Sequence, residues 1–226
     1  MHTTAKAKED QNQVQFDSYH KTGGVVLGPY TSHIWRHDPR HMCFLFSRYK
    51  FCSKMLMGKK RVLEVGCGDS IGTPIVLQNV EQIHGIDFEP IVIEDAIQRN
   101  EYKNRCTYSV HDMTKGPVTP SFDAAFSLDV IEHIPPSQEN IFLKNIVDSL
   151  EAKGILILGT PNSTAHQYAS EGSKKGHINL KSGETMRSLL EKYFQNVFIF
   201  SMNDEVVHTG FTPMAHYLFG MGVGKL

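Results

Sequence analysis

Short apolar runs alternate with segments of helical periodicity along most of this chain. Residues 61–65, 83–87, 105–110, 122–128 and 154–159 have the length and apolar character of buried strands. The run at 154–159 is almost wholly apolar, as a central parallel strand should be. A helix over 41–57 would place Leu45, Tyr49, Cys52 and Leu56 on one side. Another over 89–100 has Pro90 suited to its first turn. A third, capped by Ser137 and running to about Leu150, aligns Ile141, Phe142, Ile146, Val147 and Leu150. A fourth, capped by Ser182, turns Met186, Leu189, Leu190 and Tyr193 inward. Residues 197–202 and 215–222 read as closing strands.

This alternation predicts an α/β fold, a three-layer Rossmann-like sandwich with helices on both faces of a mostly parallel, seven-stranded sheet. Residues 203–214 are too few for a helical crossover, so the last strand is expected to be antiparallel. Residues 1–58 are set apart as an N-terminal helical lid and 59–226 as the main domain. Within the lid, the first 40 or so residues read as irregular, with Phe16, Tyr19, Tyr30 and Trp35 expected to pack on something.

Composition narrows the function classes. With 23 Lys+Arg against 24 Asp+Glu the net charge is −1, which leaves no global footprint for nucleic acid or an anionic membrane. The 40% hydrophobic and 21% charged content excludes disordered, collagenous and coiled-coil chains. No run approaches the roughly 20 apolar residues that cross a bilayer, and the polar N-terminus lacks the apolar core of a secretory signal. Cys43, Cys52, Cys67 and Cys106 form neither a CxxC pair nor a disulfide framework, so a reduced, cytoplasmic setting is expected.

In open α/β sheets ligands bind beyond the carboxyl ends of the strands. After the first strand stands Glu64-Val65-Gly66-Cys67-Gly68, whose glycines let the backbone turn sharply and approach a ligand; a plain tight turn reads the same way. Ile71 stands where a dinucleotide fingerprint has its third glycine, and Glu64 suits a cationic group better than a pyrophosphate. Asp87, 21 residues past Gly66, can accept both hydroxyls of a ribose. Asp112 is either a turn residue or the acceptor for an adenine amino group, with Met113 or Phe88 against the base. After the fourth strand, Leu128-Asp129-Val130-Ile131-Glu132-His133 is dense in titratable groups, and the double proline beyond it holds the end of the loop extended.

Together, Val62 to Gly68, Gly85-Ile86-Asp87, His111-Asp112-Met113 and Leu128 to His133 resemble the class I S-adenosylmethionine-dependent methyltransferases over roughly residues 61–200. Gly159-Thr160-Pro161-Asn162 resembles the subset with the ubiquinone-biosynthesis O-methyltransferases and sugar-modifying relatives. The resemblance implies S-adenosyl-L-methionine as cofactor. It implies Glu64, Gly66, Cys67 and Gly68 at the methionine end, Asp87 on the ribose, Asp112 on the adenine, and the backbone near Leu128 lining the cofactor.

A hydroxyl acceptor must lose a proton, and His133 is the first candidate base, with His177 and His208 behind it. Its alternative role is to orient the loop or shape the pocket. The expected reaction is methyl transfer to a hydroxyl, or less readily an amine, of a small acceptor that is sugar- or nucleotide-linked; the balanced charge favours this over nucleic acid. Trp35 would stack on a ring and Arg36 or Arg40 grip an anionic group of the acceptor. No metal ligand is assigned. The competing reading is a divalent ion on Asp129, Glu132, His133 and His177, in a run similar to that of the small-RNA 2′-O-methyltransferases, though Asp129 is shorter than their glutamate and their second late histidine is missing. A non-catalytic, cofactor-binding partner subunit is the third reading.

Overall fold

Apolar side chains alternating along the strands demand cover on both faces of the sheet, and the fold supplies it. In this computed structural model, which describes residues 6–226, β1 (Arg61–Val65), β2 (Gln82–Asp87), β3 (Cys106–Val110), β4 (Phe122–Leu128) and β5 (Leu150–Pro161) run parallel. They are followed by β6 (Phe194–Asn203), β7 (Val206–His208) and β8 (Tyr217–Lys225). The spatial order is β3-β2-β1-β4-β5-β8-β6-β7. β8 lies between β5 and β6, antiparallel to both, which matches the orientation expected of the last strand.

The sheet has eight strands rather than seven. The extra one, β7, is three residues long and pairs antiparallel with the end of β6 through Ser201–His208 and Asn203–Val206. So short a segment inside a polar loop carries no alternation that would betray it.

The helices are α1 (Gln13–Thr22), α2 (Pro29–His37), α3 (His41–Met55), α4 (Thr73–Leu77), α5 (Pro90–Arg99), α6 (Glu139–Asp148), α7 (Glu171–Gly176) and α8 (Gly183–Leu190). Leu63, Val65, Ile86, Leu156 and Leu158 pack on one face against Phe142 and Ile146 of α6 and Met186 and Leu189 of α8. Val62, Phe126, Ile157, Tyr217 and Phe219 pack on the other against Tyr49 and Cys52 of α3 and Val76 and Leu77 of α4. Among the described residues no helix is long and apolar enough to cross a membrane.

Three local expectations are corrected. Two helices, α1 and α2, stand in the stretch read as irregular, and Pro29 starts α2. The aromatics of that stretch do not bury themselves: Tyr19 is 61% and Trp35 59% exposed. Ser137 does not cap α6; the chain makes a turn first, with the Gln138 N–H on the Pro135 carbonyl, so Gln138 takes the capping position. Ser182 does cap α8, in a reciprocal box with Thr185.

Candidate active site

The strand order reverses between β1 and β4, and the sequence candidates collect at that switch point. Gly66 has φ +75°, and a Cβ there would stand 2.2 Å from Val130 Cγ2, so only glycine lets the β1 and β4 loops meet. The N–H groups of Gly66 and Cys67 both donate to the Ile86 carbonyl. Gly68, at φ +50°, donates its N–H at 2.9 Å to Asp87 Oδ2, and Glu89 N–H donates at 3.0 Å to Oδ1. Two amides thus orient the Asp87 carboxylate, and its remaining lone pairs stay free for two hydroxyls.

Glu64 points below this loop. It is 1% exposed, its Oε2 accepts from the Thr73 hydroxyl at 2.6 Å, and its Oε1 has no partner. Burial pushes its carboxyl up from 4.5 to about 7. Asp112 Oδ1 accepts from the N–H and hydroxyl of Thr114, and these bonds lower its pKa while Oδ2 stays open. Phe88 is 71% exposed beside Asp87, whereas Met113 is sunk in the core, so the open aromatic face is that of Phe88. Cys67 is buried, its thiol raised by burial, and Leu128 lies against Gly159.

Next to this loop opens a cavity of about 410 Å³. His41, His133, His166, His177 and His216 line it, together with Arg48, Asp129 and Glu132. His133 Nδ1 meets the Gly176 carbonyl at 3.0 Å, so that nitrogen carries the proton and Nε2 keeps a lone pair. Burial lowers the pKa of His41, His177 and His216, and the Arg48 charge lowers His41 and His216 further. For these three imidazoles the cavity favours the neutral form.

Glu132 is fully buried. Its Oε2 accepts from the Thr160 hydroxyl at 3.0 Å, its Oε1 is unpartnered, and burial together with Asp129 raises its pKa. Donor atoms of Glu132, His133 and His177 lie within 4.8 Å of one another. Asp129 stands apart from that set: Arg48 holds both its oxygens.

Residues 62–154 match the family described as "Methyltransferase domain". The matched stretch takes in the glycine loop, Asp87, Asp112 and the run 128–133. The ubiquinone biosynthesis O-methyltransferase of Rickettsia prowazekii is 29% identical over 116 residues, which is 50% of this chain and 44% of that protein. The Rickettsia typhi enzyme of the same name is 30% identical over 117 residues, 50% of this chain and 45% of its own length. The chain thus spans under half the length of these curated relatives. The N-methyltransferase NodS of Bradyrhizobium japonicum, solved with S-adenosyl-L-homocysteine, superposes with a TM-score of 0.63 at 17% identity, over 84% of this chain and 91% of that one. The methyltransferase domain of a bacterial CtHen1 gives 0.64 at 19%, over 80% and 98%.

Several residues that line the cavity escaped the sequence reading. Arg48 had a signal: it interrupts the buried side of α3 that Leu45, Tyr49 and Cys52 define. His166 and His216 had none, for a lone loop histidine is usually a surface residue. His208 is taken up in the β6–β7 turn, with Nε2 on Asn203 and Nδ1 accepting from Gly210 N–H. From α2 it is Ile34, not Trp35 or Arg36, that lines the cavity.

Proposed function

We propose that this domain transfers a methyl group from S-adenosyl-L-methionine to a hydroxyl of a small acceptor. The observation that carries the reading is the Asp87 carboxylate, held by two amides beside the glycine loop and leaving acceptor capacity for a ribose. The residues present suit the cofactor. The Glu64 Oε1 is a buried acceptor without a partner, as a cationic amino group requires, and a side chain at position 66 would close the loop. Glu64, Gly66, Cys67 and Gly68 would hold the methionine end, Asp87 the ribose, and Asp112 with Phe88 the adenine, with Leu128 lining the site. When bound, the cofactor supplies a sulfonium methyl with a good leaving group.

The chain's own contribution is then positioning and a proton sink. Residues 59–226 would hold the cofactor, and Ile34, His41, Leu45 and Arg48 of the N-terminal segment would wall the acceptor side. Holding the acceptor oxygen in line can supply on the order of 7–11 kcal/mol at best. His133 Nε2, its tautomer fixed through the Gly176 carbonyl, takes the hydroxyl proton. The acceptor cavity has apolar walls from Ile34, Leu45 and Leu180 and imidazoles elsewhere, which suits a small polar molecule better than a polyanionic strand. Calorimetry with S-adenosylhomocysteine tests the reading; stabilisation by NAD(H) alone would sink it.

A second reading is favoured by the clustering of Glu132, His133 and His177. The unpartnered Glu132 Oε1 and His177 Nδ1 fit a divalent ion that takes two imidazoles and a carboxylate. These three side chains would hold it, and it would polarise the acceptor hydroxyl.

A further inference from the structure

The first turn of α2 is capped by a side chain from outside its own segment. Asp69, in the glycine loop, accepts the Thr31 N–H at 2.7 Å on Oδ2 and the Thr31 hydroxyl at 2.8 Å on Oδ1. Both residues are buried. Gly28, just before the helix, sits so close that a Cβ there would stand 2.4 Å from the Cβ of Asp69. Arg99 ties down the same joint, with Nη2 donating to the Asp69 carbonyl at 2.7 Å and Nη1 reaching the Val26 carbonyl at 3.5 Å. Arg99 is itself paired with Asp95.

The helix held in this way touches two sites. The Tyr30 ring covers Gly68, with Cδ2 3.3 Å from where a Cβ would be. Burial and the charges of Asp87, Glu89 and Asp69 push its hydroxyl up, which locates it in the field of the ribose acid. One turn further along, Ile34 lines the acceptor cavity. A single short helix is therefore a wall of both.

We propose that Asp69 is a positioning residue: through Thr31 it sets α2 so that Tyr30 closes the cofactor site and Ile34 shapes the acceptor cavity. Cofactor binding and the docking of α2 are then coupled, each strengthening the other. This rests on the cofactor reading above. A carboxylate that merely anchored a tail would hold α2 equally well with the cofactor site empty or filled.

The test compares the wild type with Asp69→Asn, Thr31→Val and Tyr30→Ala. Affinity for S-adenosylhomocysteine is measured by calorimetry. Thermolysin cutting at the exposed Val25-Val26 is followed with and without that ligand. In the wild type the ligand slows cutting. In Asp69→Asn and Tyr30→Ala affinity falls about tenfold, and in Asp69→Asn the protection is lost. Unchanged affinity and unchanged protection in both variants overturn the proposal alone. A wild type that does not bind the ligand overturns the cofactor reading and this one with it. Should Asp69→Asn fail to fold, Tyr30→Ala, at a half-exposed position, decides by the same affinity measurement.

Discussion

Arg48 and Asp129 are locked side by side, with Nη1 of the guanidinium donating to both carboxylate oxygens at 2.9 and 2.7 Å. The Tyr217 ring lies 3.9 Å from the guanidinium carbon. Asp129 has φ +58°, a left-handed backbone that short polar side chains tolerate best. Asp129→Asn keeps that backbone preference and removes the charge, which leaves Arg48 buried without a counter-ion. The expected loss is about 3 kcal/mol, read as a lower midpoint of chemical denaturation. Arg48→Met in the same chain should recover most of it; a double variant as unstable as the single one would refute the pairing argument.

His133→Gln keeps polarity and removes the basic nitrogen. Turnover should fall by about 10²–10⁴, while affinity for S-adenosylhomocysteine stays as in the wild type, because His133 lines the acceptor cavity and not the glycine loop. Retained turnover would reduce the residue to a loop-orienting role.

Glu64 makes stability depend on pH. Its carboxyl titrates near 7 in the fold, against 4.5 ordinarily. Between those values the folded protein holds a proton that the unfolded chain has released, so this contribution to stability falls as pH rises and levels off above about 7. The full span is on the order of 3 kcal/mol. Glu64→Gln should flatten the slope, so the stability gap between variant and wild type should shift in the variant's favour from pH 5 to pH 8. Urea midpoints at the two values measure it.

Asp87→Ala should weaken S-adenosylhomocysteine binding by about 1.5–3 kcal/mol. It also releases the Gly68 and Glu89 amides, so the loop should loosen even without ligand. Calorimetry gives the first effect and hydrogen exchange at those two amides the second.

Stripping divalent ions should leave cofactor affinity unchanged, since the Glu132, His133 and His177 donors belong to the acceptor cavity. If the second reading holds, Mn²⁺ raises the melting temperature of the wild type and not of His177→Ala. Methylation untouched by a chelator assigns the proton to His133 alone.

The cofactor side was legible because its residues are close in sequence and their backbone demands are strict. Gly66 and Gly68 sit at positive φ, and Asp87 ends a strand in register with β1. The acceptor side was not. Arg48, His166 and His216 meet the run 128–133 only because α3, the segment after β5 and the residue just before β8 converge there, and no local periodicity encodes that. The metal reading was split by Asp129, whose partner Arg48 lies on a helix that the run 128–133 does not announce. The capping of α2 was hidden for the same reason: its carboxylate, Asp69, belongs to another segment.

The insertion of β8 between β5 and β6 bears on the order of folding. β5 and β6 cannot join one sheet until β8, which follows both in sequence, has entered the gap. Tyr217 of that strand lies against Arg48, a lining residue of the cavity, which lacks this backing until then. The glycine loop of β1 and β2, built from neighbouring segments, has no such wait. A half-folded chain would thus own a cofactor loop with no acceptor chamber, and the rate at which β8 docks would set when the protein ripens into a competent form.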